Sequence, residues 1–264
     1  MDFETYETLK FARRGRVLAI ALSAPQARNA VSRLMHQELI RALEEADLDE
    51  DSDVLVLTGE GDAFCGGGDI AWMKAMREKP AERKAAISEG RRILYTILEL
   101  DKPIIGKVRG PAIGLGATLA LFCDVIFASE TAKFADPHVR VGLVAGDGGA
   151  VIWPALLGPA RAKEYLMTGD VVTGRKAMEL GLVNHCLPDA ELDAAVDAFA
   201  DRLAGGALAA IRWTKRAVNA GLRAQAAPVL ELAFAYEAAS METDDHRAAV
   251  DAFLAGHAPT FQGR

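Results

Sequence analysis

One carboxylate, that of Asp147, lies within a run of glycines and small apolar residues, V-G-L-V-A-G-D-G-G-A at 141–150. An aspartate in this setting can cap a helix, because its side-chain oxygen accepts from the free N–H groups of the first turn. It can equally act as a general acid or base in an active site. The segment alone supports both interpretations, since a helix could begin at about residue 148.

Two glycine-rich segments offer a second kind of chemistry. A-F-C-G-G-G-D-I at 63–70 and K-V-R-G-P-A-I-G-L-G-A at 107–117 each follow a stretch typical of a buried strand. Glycine lets a backbone N–H approach a ligand closely, and two such N–H groups aimed at one point form an oxyanion hole. The second segment also opens a predicted helix, whose N-terminus adds positive potential. Taken singly, either segment could instead be a tight strand-to-helix turn.

The elements that must position these residues alternate between strand and helix. Aliphatic runs predict strands at 17–22, 54–58, 103–108, 125–128 and 183–187. Helices are predicted after an N-cap at Ser32, at 81–100 and 114–122, from about 159, after Thr173, and at 189–204, 207–221, 228–241 and 244–255. This order predicts an α/β core over 1–200 and a helical region over 201–264 that packs on a neighbouring subunit.

Composition excludes several classes of protein. The net charge of −7 argues against a nucleic-acid surface, and no run approaches the roughly 20 apolar residues of a membrane span. The start, Met1-Asp2-Phe3-Glu4, does not resemble a signal peptide. Three widely spaced cysteines favour free thiols in a reducing cytoplasm. The five histidines lack metal-site spacing, so no metal is expected.

Many ordered motifs in this sequence resemble the crotonase superfamily, the enoyl-CoA hydratase/isomerase family. They are P-Q-A-R-N-A-V (25–31), F-C-G-G-G-D-I (64–70), K-P-I-I-G-K-V-R-G-P-A-I-G-L-G (102–116), C-D-V-I-F-A (123–128), A-K-F-A-D-P (132–137), V-G-L-V-A-G-D-G-G (141–149), T-G-D (168–170), A-M-E-L-G-L-V-N (177–184) and T-D-D-H-R-A-A-V-D-A-F (243–253). The resemblance implies the ClpP/crotonase-like α/β spiral of ββα turns with a helical C-terminal oligomerisation region. It also implies a homotrimer or homohexamer.

The resemblance further implies an acyl-CoA substrate and no permanently bound cofactor, coenzyme A being part of the substrate. The thioester oxygen would lie between the backbone N–H groups of Gly68 and Leu115, which stabilise an enolate. Coenzyme A would run along Ala27, Arg28 and the segment that contains Gly66, Gly68, Asp69 and Ile70. Arg28 could be a phosphate partner, or simply a solvated loop arginine.

The sequence departs from the family at the acid and base. The hydratases use two glutamates, and the matching positions here are Thr118 and His138. The Thr118 hydroxyl is expected to bond back to the previous turn of its helix. An imidazole at 138 titrates near neutral pH and could assist proton transfer. Asp147 is then the one carboxylate that we identify on the active-site loops, and family isomerases and a dehalogenase place a catalytic aspartate at or beside this point.

We therefore expect an enoyl-CoA hydratase-type enzyme with Asp147 as the principal acid or base and His138 as its assistant. Double-bond isomerisation or hydrolysis of the thioester are the alternatives within the family. A non-catalytic acyl-CoA-binding or assembly protein is the alternative of another class, favoured by the loss of both glutamates. The intact oxyanion loops argue against it.

Overall fold

The computed structural model describes residues 2–264. Strands lie at β1 Leu9–Arg14, β2 Val17–Leu22, β3 Val54–Gly59, β4 Ile104–Val108, β5 Pro111–Ile113, β6 Val125–Ser129, β7 Lys133–Ala135, β8 Val172–Thr173 and β9 His185–Leu187. Helices lie at α1 Arg33–Leu48, α2 Ile70–Glu78, α3 Pro80–Glu99, α4 Leu115–Leu121, α5 Gly149–Leu157, α6 Pro159–Thr168, α7 Gly174–Leu180, α8 Leu192–Ala204, α9 Leu208–Ser240 and α10 Asp244–Leu254. The predicted strand and helix order of the core is confirmed, and β1, β5, β7, β8 and α2 are additions to it.

The larger sheet has six strands in the order β1-β2-β3-β4-β6-β9, and it is parallel apart from the antiparallel β1–β2 pair. A smaller sheet joins β5, β7 and β8. Strands β3 and β4 are parallel neighbours, so the loops that follow them leave from the same edge of the sheet. This topology brings the two glycine-rich segments together.

Both faces of the larger sheet are covered. In β3, Leu55 and Leu57 belong to the main hydrophobic cluster together with α1 and α3. The alternate residues Val54 and Val56 belong to a second cluster with α8. Alternation along a strand sends successive side chains to opposite faces, and a strand buried on both faces reads as a continuous apolar run. This explains the aliphatic signal that predicted β3.

The helices predicted at 207–221 and 228–241 are one helix, α9, and the predicted break between them is wrong. Pro228 lies inside α9. A proline in a helix removes one hydrogen bond to the carbonyl four residues earlier, here that of Ala224. Both Pro228 and Ala224 are exposed, so water can bond to the freed carbonyl and the helix continues.

The C-terminal helices pack on the core of their own chain. Helix α9 contacts α3 and α5, and α10 contacts α2 and the short 3₁₀ helix His138–Val141. Packing of this region on a neighbouring subunit stays a prediction. Across residues 2–264, each helix is too short or too polar to cross a membrane. The three cysteines are free thiols, as predicted.

Candidate active site

A cavity of about 520 Å³ opens at the edge of the sheet where the two glycine-rich loops meet. Its walls come from both loops, from the 3₁₀ helix His138–Val141, from the segment before α5 and from the C-terminal helices. The lining includes the predicted Ala27, Arg28, Gly66, Gly68, Asp69, Ile70, Leu115, His138 and Asp147, together with the unpredicted Glu237 and His246. The structure therefore brings every sequence-predicted site residue to one cavity.

The two loops are joined directly to each other. Cys65 and Ala112 form a parallel bridge, in which Cys65 N–H donates to Pro111 O at 2.9 Å and Ile113 N–H donates to Cys65 O at 3.0 Å. A Cβ on Gly116 would lie 2.6 Å from Cys65 Cβ, so glycine is required for this contact. The loops are held at a fixed separation as a result.

The backbone N–H groups of the two predicted oxyanion residues are placed to donate to a ligand. Leu115 is the first residue of α4, with Gly114 as its N-cap at φ +54°, and the N–H groups of a first helical turn have no acceptor within the helix. On the other loop, Gly67 N–H donates to a cysteine sulfur and Asp69 N–H to a neighbouring carbonyl, on either side of Gly68. The Gly68 and Leu115 N–H groups are the two that the resemblance predicts as donors.

Asp147 does not cap α5, so the capping interpretation is wrong. The helix begins at Gly149 with Gly148 as its N-cap, which puts Asp147 one residue before the cap. Its side chain instead faces the cavity, where Thr118 Oγ1 donates to Asp147 Oδ1 at 3.3 Å. The expectation that the Thr118 hydroxyl bonds back to its own helix is therefore corrected. A fully buried hydroxyl takes the nearby carboxylate as the stronger acceptor.

His138 lies between two carboxylates. It follows Pro137 at the start of its 3₁₀ helix, Nδ1 bonds to Asp136 Oδ1, and Nε2 lies 3.3 Å from Asp147 Oδ2. Burial lowers the pKa of His138, but the charges of Asp136 and Asp147 outweigh it and hold the pKa well above the ordinary value of 6.5. The two carboxylates therefore favour the imidazolium form of His138.

Asp136, His138 and Asp147 also form a group with one potential metal-ligand atom each, all within 4.8 Å of one another. Their arrangement suits proton transfer better than chelation. The carboxylates bond to opposite nitrogens of the ring, whereas one ion can bind only one nitrogen of a given imidazole. Asp136 was not assigned a role from the sequence, although it lies in the A-K-F-A-D-P motif.

Glu237 is an acidic residue of the cavity that the sequence did not predict. It lies on α9, is 7% exposed and lines the same cavity as Asp147. Burial, followed by the charge of Asp147, raises the pKa of Glu237 to about 8. The signal in the sequence is a glutamate within the buried stripe of α9, which otherwise consists of small or apolar side chains around this position, namely Ala226, Leu230, Ala233 and Phe234.

The residues predicted to hold coenzyme A lie at the first loop. Arg28 has φ +52° and its carbonyl accepts from Gly66 N–H at 2.8 Å, which joins the 25–31 segment to this loop. Its side chain is exposed, so it is free to meet a phosphate. The Asp69 carboxylate accepts from Trp72 N–H at 2.8 Å and caps α2. Contact of these residues with coenzyme A stays a prediction.

Comparison with known proteins identifies the family of the chain. A family model described as enoyl-CoA hydratase/isomerase matches residues 12–264. The chain is 31% identical to crotonyl-CoA hydratase of Syntrophomonas wolfei, over 94% of this chain and 95% of that protein. It resembles the crystal structure of an enoyl-CoA hydratase/isomerase from Mycobacterium paratuberculosis, with a TM-score of 0.90, 34% identity, and coverage of 93% and 98%. It also resembles a β-diketone hydrolase from the cyanobacterium Anabaena, with a TM-score of 0.85, 29% identity, and coverage of 91% and 96%.

The matched span and the likeness in fold confirm the resemblance drawn from the motifs, including the crotonase-like α/β architecture. Members of this family are enzymes, and their substrates are thioesters of coenzyme A. The chain belongs to the enoyl-CoA hydratase/isomerase family of the crotonase superfamily.

Proposed function

We propose that this protein adds water to the double bond of a 2-enoyl-CoA thioester, with Asp147 as the base. One observation carries the proposal. The Asp147 carboxylate is fixed by Thr118 and His138 and lines the same cavity as the Gly68 and Leu115 amides. A base and an oxyanion hole in one cavity are the two parts that enolate chemistry requires.

The thioester oxygen would accept from the N–H groups of Gly68 and Leu115. As hydroxide adds to the β-carbon, negative charge moves to this oxygen and the pair of donors stabilises the enolate. Removal of a single donor of this kind typically costs about 10²–10³ in rate. Arg28 and Ala27, at the exposed end of the cavity, would hold the coenzyme A portion so that the acyl group enters the interior.

Asp147 would accept a proton from the attacking water. Its partner His138 is buried, which lowers the pKa of the imidazole, but the charges of Asp136 and Asp147 more than offset this and favour the protonated ring. The His138 contact fixes one oxygen of the Asp147 carboxylate, while the Thr118 hydroxyl fixes the other. His138 is therefore the assisting group and Asp147 the group that contacts the reacting water.

The test is incubation of the purified protein with crotonyl-CoA and longer 2-enoyl-CoA thioesters. Hydration removes the ultraviolet absorbance of the conjugated thioester and adds the mass of one water. A product that keeps the substrate mass with a moved double bond would mean isomerisation, and release of free coenzyme A would mean thioester hydrolysis. Binding of coenzyme A esters without any turnover would contradict catalysis and favour the binding-protein alternative.

A second candidate is hydrolysis of the carbon–carbon bond between two carbonyl groups. The likeness to the Anabaena β-diketone hydrolase supports it, as does the histidine held between two carboxylates. Water would add to one carbonyl, the bond to the central carbon would break, and the leaving enolate would bind at Gly68 and Leu115 before it takes a proton. Incubation with a cyclic 1,3-diketone, free and as a coenzyme A thioester, would give a ring-opened acid if this activity is present.

A further inference from the structure

We propose that Glu237 is the proton donor of this enzyme, whose carboxylic acid group protonates the α-carbon of the enolate formed in the cavity. This rests on the proposed function, because it supplies the second half of the hydration. It assigns a catalytic residue to the C-terminal helix α9, at a position where the glutamates of the family hydratases do not fall.

Geometry places Glu237 in the site. The residue is 7% exposed and lines the cavity together with His138 and Asp147. It packs tightly on the loop that carries Asp147, since a Cβ built on Gly146 would lie 2.4 Å from Glu237 Oε2. Gly146 is the residue immediately before Asp147. Glycine at this position therefore makes room for a carboxyl group from α9 beside the catalytic aspartate.

Three charged groups interact with Glu237 across the cavity. From the loop before α5 it faces Asp147, from the segment before the 3₁₀ helix it faces Asp136, and from the 3₁₀ helix itself it faces His138. Helix α5 itself, G-A-V-I-W-P-A-L-L, carries no titratable side chain. The nearby Arg91 of α3 forms its ion pair with another glutamate of α9, Glu231, at 3.0 Å.

Burial and the charges of Asp147 and Asp136 raise the pKa of Glu237, and only His138 lowers it. Two carboxyl groups in one cavity whose environments separate their protonation states can divide the acid and base roles.

The proton transfers balance over one cycle. The O–H bond of water breaks, its proton goes to Asp147, and its oxygen bonds to the β-carbon. The O–H bond of Glu237 then breaks and a C–H bond forms at the α-carbon, while the electron pair of the enolate oxygen re-forms the carbonyl. Asp147 is left protonated and Glu237 ionised. Return of one proton from Asp147 to Glu237 through water in the cavity restores the enzyme.

Two assays test the proposal on the full chain. The first is hydration of crotonyl-CoA. The second is exchange of the α-protons of butyryl-CoA in D₂O, followed by NMR, which involves the α-carbon but no addition of water. We expect Glu237→Gln to lower both rates by about 10² or more, and Glu237→Asp to recover part of the loss. The matched control is Glu231→Gln on the same helix, because Glu231 is an exposed glutamate that pairs with Arg91 at the surface.

The outcomes separate this inference from the proposed function. Hydration by Glu237→Gln within twofold of the parent protein would overturn the inference and leave the function in place. A parent protein that fails to hydrate crotonyl-CoA, yet exchanges the α-protons in a Glu237-dependent manner, would overturn the function and support the inference. Calorimetric binding of butyryl-CoA by the variant verifies that the cavity is intact.

Discussion

His138 Nε2 lies 3.3 Å from Asp147 Oδ2, on the side of the imidazole opposite to Asp136. This contact distinguishes a role of Asp147 in the active site from a role as a helix cap. The imidazole and the carboxylate form a pair that faces a cavity rather than a helix N-terminus. Asp136 bonds to the other ring nitrogen. Burial lowers the pKa of His138, but the charges of Asp136 and Asp147 more than offset it, so the three side chains act as a unit.

Asp147→Asn should abolish turnover while leaving binding of the thioester nearly unchanged. The amide keeps the shape of the side chain and can still bond to Thr118, but it cannot accept a proton from water. We expect a fall in kcat of about 10² or more, measured with crotonyl-CoA, with little change in the Kd for a saturated acyl-CoA. Asp170→Asn is the control, because Asp170 forms an exposed ion pair with Arg140. Full activity of Asp147→Asn would contradict the assigned base.

Asp136→Asn should move the alkaline limit of activity to lower pH. The charge of Asp136 raises the pKa of both His138 and Glu237. Its removal lets both groups lose their protons earlier as the pH rises, by about 1 pH unit or more. A pH profile of kcat measures the shift, and NMR of the imidazole protons assigns the part due to His138. An unchanged profile would mean that Asp136 does not control this site.

Asp136→Asn should also lower stability, and the loss should be largest at low pH. The folded pKa of His138 lies above its ordinary value, so the ion pairs stabilise the fold fully below that ordinary value. The stabilisation disappears as the pH rises through the raised pKa. The variant should therefore lose stability at pH 6 and differ less from the parent protein at high pH, as measured by urea unfolding.

Gly148→Ala should lose activity, whereas Gly181→Ala should not. Both glycines have positive φ, +110° and +80°, with ψ near zero, so each alanine is strained by about 1 kcal/mol. At Gly181 the added methyl group meets open space. At Gly148 it would lie 2.8 Å from Thr118 Cγ2 and 2.9 Å from Leu94 Cδ1, which displaces the residue next to Asp147. Comparison of kcat and Tm for the two variants separates the clash from the backbone strain.

The parts of the site that could be predicted from the sequence are local ones. Asp147, His138 and the two glycine loops lie in short segments whose residue types and order already indicate an active site. The parallel pairing of β3 and β4 brings those loops together. The two helices predicted in place of α9 show the opposite case. An exposed proline signals a break, yet packing of α9 on α3 and α5 keeps the helix continuous.

Glu237 could not be placed from the sequence, because its role depends on where α9 crosses the core. A glutamate on a long helix is ordinarily solvated, and only tertiary packing against Gly146 puts this one into the cavity. Asp147 is the one carboxylate that the sequence identifies as catalytic on the active-site loops. The structure adds Asp136, as a partner of His138, and Glu237 to the site.

Glu237→Gln should stabilise the protein at pH 8, because the amide has no proton to lose in the buried site. The pKa of Glu237 is about 8 in the folded protein against an ordinary value of 4.5, so the folded state holds a proton that the unfolded state has lost. Stability of the parent protein must then fall as the pH rises from about 4.5 to about 8, by an amount on the order of 4 kcal/mol. The glutamine side chain does not titrate, so the variant lacks this dependence of stability on pH. Urea unfolding at pH 5 and pH 8 should give a gap between the two proteins that widens with pH, while Glu231→Gln follows the parent protein at both. A gap that is constant across this range would mean that Glu237 titrates as an ordinary solvated glutamate.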